Sequence, residues 1–104
     1  MDFKPTVVLD LERNMVKALP AIERAHQKVG IARGALITSA RDSIHKAGSL
    51  HPYGLAVDLR TKDLSQEQIV KLAAELKKEL GPDFDVVIEA SPLHIHVEFD
   101  PFTP

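Results

Sequence analysis

Apolar residues recur along the chain with two periods, and the changes of period divide it into elements. Leu11, Met15, Leu19, Ile22, Ala25 and Val29 are spaced by three and four, which is the stripe of one helix face. Pro20 lies inside that stripe. A proline has no N–H to donate and its ring crowds the preceding turn, so the segment predicts two short helices, with Pro20 in the first turn of the second, or one kinked helix. Gly30 closes it, where a left-handed C-cap is usual. The run from Ala35 to Ser39 and the run from Leu55 to Arg60 are short, apolar and partly β-branched, and each predicts a strand. Ser65 with Gln68 three residues on forms a capping box, Leu64 stands ready as the outer half of a hydrophobic staple, and Ile69, Leu72, Ala73, Leu76 and Leu80 continue as a helical stripe. Lys77 and Lys78 suit the negative end of that helix, and Gly81-Pro82 stops it.

The last two runs, Phe84 to Ile88 and Leu93 to Phe99, are joined by a short connection containing Ala90-Ser91-Pro92, and they predict a hairpin. If Glu89 pairs with His94, then Val87 pairs with His96. Period two then places Glu89, His94 and His96 on one face and Val86, Ile88, Ile95 and Val97 on the other. The order helix, strand, strand, helix, hairpin implies an α+β domain with a small, mainly antiparallel sheet and helices packed on one side. The pattern does not specify the order of the strands.

At 104 residues, without repeats or low-complexity tracts, the chain predicts a single domain over residues 1–104. It contains no Cys, so a disulfide framework and a thiolate zinc site are both excluded, and any metal site must be built from His and carboxylate, as catalytic zinc sites are. The net charge is −2 with the signs interspersed, which offers no electrostatic footprint for nucleic acid or an anionic membrane. The first residues lack the basic and apolar regions of a signal peptide, and no apolar run approaches a membrane span. Synthesis in the cytoplasm and a monomeric chain are the expectations.

Two clusters carry candidate chemistry. His51 and Asp58 are seven residues apart, an odd separation that would send them to opposite faces of one uninterrupted strand. The turn signal Pro52-Tyr53-Gly54 between them lets the imidazole and the carboxylate converge instead. The second cluster is Glu89, His94 and His96. A purely structural hairpin has no reason to set two imidazoles and a carboxylate opposite four aliphatics. A catalytic zinc needs three protein ligands, an open position for water and a base nearby, which His51, Asp58, one of His94 or His96, and Glu89 would supply; the histidine left over could hydrogen-bond the oxyanion. The polar loop before His51 carries Arg41 and His45, and His26, on or beside the apolar helix stripe, reads as a half-buried packing histidine.

Ser49-x-His51-x6-Asp58, continuing through Gly54-x-Ala56-Val57-Asp58 and followed by His94-x-His96, resembles the zinc D,D-peptidase group. That group comprises D-alanyl-D-alanine carboxypeptidases, D,D-dipeptidases and phage L-alanyl-D-glutamate endopeptidases, with the related zinc fold of hedgehog signalling domains. The resemblance runs roughly from Ile37 to Phe99. It implies one Zn2+ per chain held by His51, Asp58 and His96, with Glu89 as the catalytic glutamate and His94 as the auxiliary histidine. It assigns Arg41 to the substrate carboxylate or the oxyanion, and places Ser49 and His45 beside the substrate, His45 coinciding with a site histidine of the hedgehog branch. Glu89 lies five residues before His94, a longer spacing than the Glu-x-x-His common in the group. The implied substrate is a peptide stem of peptidoglycan, cleaved by a carboxypeptidase or endopeptidase of the phage or prophage lysis type that another factor releases to the cell wall. An inactive zinc-binding module of the same fold is the alternative. A non-haem iron oxygenase also uses two His and a carboxylate, but it sets the acid two residues after the first His and needs more strands.

Overall fold

The computed structural model describes residues 1–4, 13–39, 56–90 and 93–100. The elements in chain order are β1 (Asp2–Phe3), α1 (Arg13–Val29), β2 (Leu36–Ser39), β3 (Ala56–Arg60), α2 (Gln66–Leu80), β4 (Phe84–Glu89) and β5 (His94–Phe99). The strands form one five-stranded mixed sheet in the order β1-β2-β3-β5-β4. β1 runs parallel to β2, and the other three pairings are antiparallel. β1 is too short to carry a hydrophobic period; it is held by hydrogen bonds from Asp2 N to Ala35 O (2.8 Å) and from Lys4 N to Ile37 O (2.8 Å).

α1 is one helix with Pro20 inside it, not two. The hydrogen bond that Pro20 cannot make would reach the carbonyl of Val16, four residues back. Val16 is on the solvent side of the helix, where water can take that carbonyl instead. The other face carries Met15, Ala18, Ala21, Ile22, Ala25 and His26, all buried. Gly30, at φ 85°, ends the helix. Gly30 N donates to Gln27 O (3.1 Å) and Ile31 N to His26 O (3.0 Å), the paired bonds of a Schellman motif. His26 is fully buried, where the sequence predicts half-burial, because it falls within the helix stripe that faces the core. Its Nδ1–H donates to Ile22 O at 2.9 Å, and burial depresses its pKa against the opposing pull of that carbonyl, so the ring is held neutral.

α2 begins with the predicted capping box: Gln68 N donates to Ser65 Oγ (3.1 Å) and Ser65 N to Gln68 Oε1 (2.9 Å). Ile69, Leu72, Ala73 and Leu76 of α2 join Met15, Ile22 and Ala25 of α1 over Ile37, Val57, Leu59, Val86, Ile95 and Val97 of the sheet. Both helices therefore cover the same face. Arg24 and Lys28 of α1 reach Glu79 of α2 across the exposed helix seam. Ile88, predicted for the core, is 43% exposed, because β4 is the edge strand and the core ends before it. Phe84 and Phe99 close the opposite end of the hairpin as a cross-strand pair, with ring centroids 5.2 Å apart.

At the end of β3 the chain is clamped. Arg33 donates to both Asp63 carboxylate oxygens (2.7 and 2.8 Å), to Gly34 O (2.7 Å) and to Arg60 O (3.0 Å). Buried Thr61 donates to Leu93 O at 3.1 Å, tying the exit of β3 to the start of β5. None of the helices among the described residues is long and apolar enough to cross a membrane.

Candidate metal centre

Alternation along three strands builds the site on the sheet face that the helices leave uncovered. On β3, Val57 and Leu59 turn into the core, so Asp58 between them takes the other face. On β5, Ile95 and Val97 do the same for His94, His96 and Glu98. The antiparallel register sets Asp58 directly opposite His96 and Arg60 opposite His94. On the other side of β5, Glu89 stands opposite His94 and Val87 opposite His96, the register that period two predicts. Four side chains from three strands thus meet without help from a loop.

Their donor atoms converge. Asp58 Oδ1 lies 3.0 Å from His96 Nδ1 and 3.5 Å from His94 Nε2. Glu89 Oε1 lies 2.9 Å from His94 Nε2 and 3.9 Å from His96 Nδ1. Ligands bound to zinc at about 2.0 to 2.1 Å in a tetrahedron stand roughly 3.3 Å from one another, and these four separations bracket that edge. Asp58, Glu89 and His94 in particular have ligand atoms all within 4.8 Å of one another, close enough to hold a metal ion. Two imidazole nitrogens and two carboxylate oxygens suit a borderline divalent cation.

Exposure grades across the cluster. The side chains of Asp58 and His96 are 10% and 11% exposed, while Glu89 is 35% exposed on the edge strand. Burial alone would push the His96 pKa down, but hydrogen bonds to the Asp58 and Glu98 carboxylates, with the charges of Asp58 and Glu89, outweigh it and raise the group to about 9. The side chains therefore hold a cationic ring among carboxylates, and a metal cation would take the place of the proton on Nδ1.

Of the residues expected at the site, Asp58, Glu89, His94 and His96 come together here. His51, Arg41, His45 and Ser49 lie outside the described residues. The structure adds Glu98, whose Oε1 is 2.8 Å from His96 Nε2. Counting by twos from His94 and His96 reaches it, so the same alternation that marks the histidines also marks Glu98. Asp85, Glu98 and Asp100 form a second group within 4.8 Å, made of carboxylates alone. Comparison with protein-family models, with curated proteins and with solved structures found no match to this chain, so a functional reading rests on the residues themselves.

Proposed function

We propose that the chain is a zinc-dependent peptidase acting on peptidoglycan stem peptides, of the D,D-carboxypeptidase or L-alanyl-D-glutamate endopeptidase type, with the fold of that group. The observation that carries this reading is the gathering of Asp58, Glu89, His94 and His96 on the sheet face away from the helices, with each carboxylate oxygen 2.9 to 3.9 Å from both imidazoles. Asp58 and His96 would hold the ion together with His51, whose place in the ligand set comes from the sequence motif.

Zinc bound there supplies a water whose pKa falls from about 15.7 toward about 7, and Lewis acidity toward a carbonyl oxygen. The protein's own groups do the rest. Glu89, the most exposed member of the cluster, takes the proton of the attacking water at a carboxylate oxygen and passes it to the leaving amine. His94 Nε2 is already turned toward the same point, 2.9 Å from Glu89, and donates to the oxyanion that forms at the scissile carbonyl. Arg41, with His45 and Ser49, binds the substrate beside its reacting bond. The chain acts as a monomer on the cell wall, without nucleic acid or membrane as partner.

One observation favours a second reading. Glu89 belongs to the mutual trio with Asp58 and His94, so it has the geometry of a ligand as well as of a base. Were it a ligand, it would not serve as the base, and the domain would be a zinc-binding module without activity. Zinc content and mass spectrometry of purified peptidoglycan after incubation decide between the two. One zinc per chain with released stem-peptide fragments supports the peptidase, zinc without cleavage supports the module, and neither zinc nor cleavage removes both. Elemental analysis of Asp58→Ala and His96→Ala, which should lose zinc, ties the metal to this cluster.

A further inference from the structure

We propose that Glu98 is a positioning residue for His96: its carboxylate holds the Nε2–H, and so presents the Nδ1 lone pair to the cation shared with Asp58. The proposal rests on the zinc reading above and deepens it. A neutral imidazole has one N–H and one lone pair, and which nitrogen carries which is decided by its neighbours. An ionised carboxylate can only accept, so the nitrogen facing Glu98 at 2.8 Å must be the protonated one. Nδ1, 3.0 Å from Asp58, is then the nitrogen turned toward the position that the cation would share with that carboxylate. Carboxylates in this relation to metal-binding histidines fix ring orientation and raise ligand basicity.

The fold places Glu98 there without a special turn. Residues two apart on β5 share a face, and the strand rise of about 3.3 Å per residue puts their Cα atoms about 6.6 Å apart, a gap that a glutamate and an imidazole can close. The residue opposite Glu98 on β3 is Ala56, fully buried and too small to compete for the space. The Glu98 side chain is 16% exposed, so water has little access to the bond. Neither Asp58 nor Glu89 can take over this role, because both face Nδ1 of the ring.

The test combines zinc affinity, measured by competition with a chromophoric chelator, with nitrogen-15 NMR of the His96 ring. In zinc-loaded wild type, Nε2 should carry the proton and Nδ1 the metal. Glu98→Ala should weaken zinc binding by about 10 to 100-fold. Glu98→Gln, whose amide oxygen can still accept from Nε2–H, should recover most of the loss. Two results would overturn the proposal: a zinc affinity of Glu98→Ala within twofold of wild type, or a His96 ring ligating through Nε2. The wild-type spectrum decides even if Glu98→Ala does not fold. A wild type that binds no zinc overturns the metal reading itself and this proposal with it, an outcome distinct from tight binding that ignores Glu98.

Discussion

Glu89 and His94 face each other across the β4–β5 pairing and join Oε1 to Nε2 at 2.9 Å, the contact nearest solvent in the candidate centre. It leaves Glu89 with a second carboxylate oxygen and a partly open approach, which suits proton transfer better than the enclosed position of Asp58. Glu89→Gln keeps the shape and can still hydrogen-bond His94, but it cannot take a proton. Zinc content and melting temperature should match wild type, while hydrolysis of a stem peptide falls by at least about 100-fold. Equal cleavage by Glu89→Gln and wild type would move the base to another residue, with His45 the next candidate.

Acid should weaken the clamp at the end of β3. Hydrogen bonds from Arg33 hold the Asp63 carboxyl down to about 2 from 3.8. Between those values the unfolded chain binds a proton that the folded chain refuses, so the contribution of Asp63 is complete above about pH 4 and is lost as pH falls toward 2. Asp63 is 39% exposed, and solvent screening keeps the effect modest. Urea denaturation at pH 5 and pH 3 should show a smaller loss in Asp63→Asn than in wild type. Equal losses would mean that the clamp carries none of the acid sensitivity.

Gly34 and Gly30 both have positive φ, 74° and 85°, but their surroundings differ. A β-carbon at Gly34 would fall 2.4 Å from Glu23 Oε1, the oxygen that accepts from Ala35 N at 2.8 Å, whereas one at Gly30 meets nothing within 4 Å. Gly30→Ala should therefore cost only the left-handed backbone term of about 1 to 2 kcal/mol. Gly34→Ala should cost about 1 kcal/mol more, because Glu23 must leave its hydrogen bond. Denaturant midpoints of the two variants in the reverse order would refute this account.

Ser65→Ala removes the side chain that accepts from Gln68 N at 3.1 Å and should destabilise the domain by about 1 kcal/mol. The loss should appear in thermal unfolding with zinc content unchanged, since α2 lies on the face away from the donors. A change in metal affinity would show coupling between the two faces.

Local patterns made the hairpin register and the α2 cap legible. Glu89, His94 and His96 declare a common face through period two, and Ser65 with Gln68 declares a helix start through spacing alone. What depends on distant packing was not legible. Nothing local in Ala56–Arg60 says that β3 lies between β2 and β5, yet that placement brings Asp58 opposite His96. Asp2 and Phe3 carry no period, and they become a strand only because β2 offers a free edge. Ile88 has the residue type of a core position but occupies an edge, which alternation cannot distinguish. Alternation puts Glu98 on the face of the histidines, but its bond to His96 Nε2 is not written in that spacing. Residues 40–55, with His51, Arg41, His45 and Ser49, fall outside the described residues, so that part of the site rests on its motif.

The helices cover one side of the sheet only, and this separates two kinds of inheritance within a single strand. Val57, Leu59, Ile95 and Val97 answer to the core, while Asp58, His94, His96 and Glu98, their immediate neighbours in the chain, answer to one another on the opposite face. Substitutions on the open side leave the helix contacts in place, so a lineage could retune, exchange or discard the chemistry without rebuilding the fold. For an engineer, the face of β3, β5 and β4 away from the helices is where donor sets can be changed with the helix contacts of the scaffold kept.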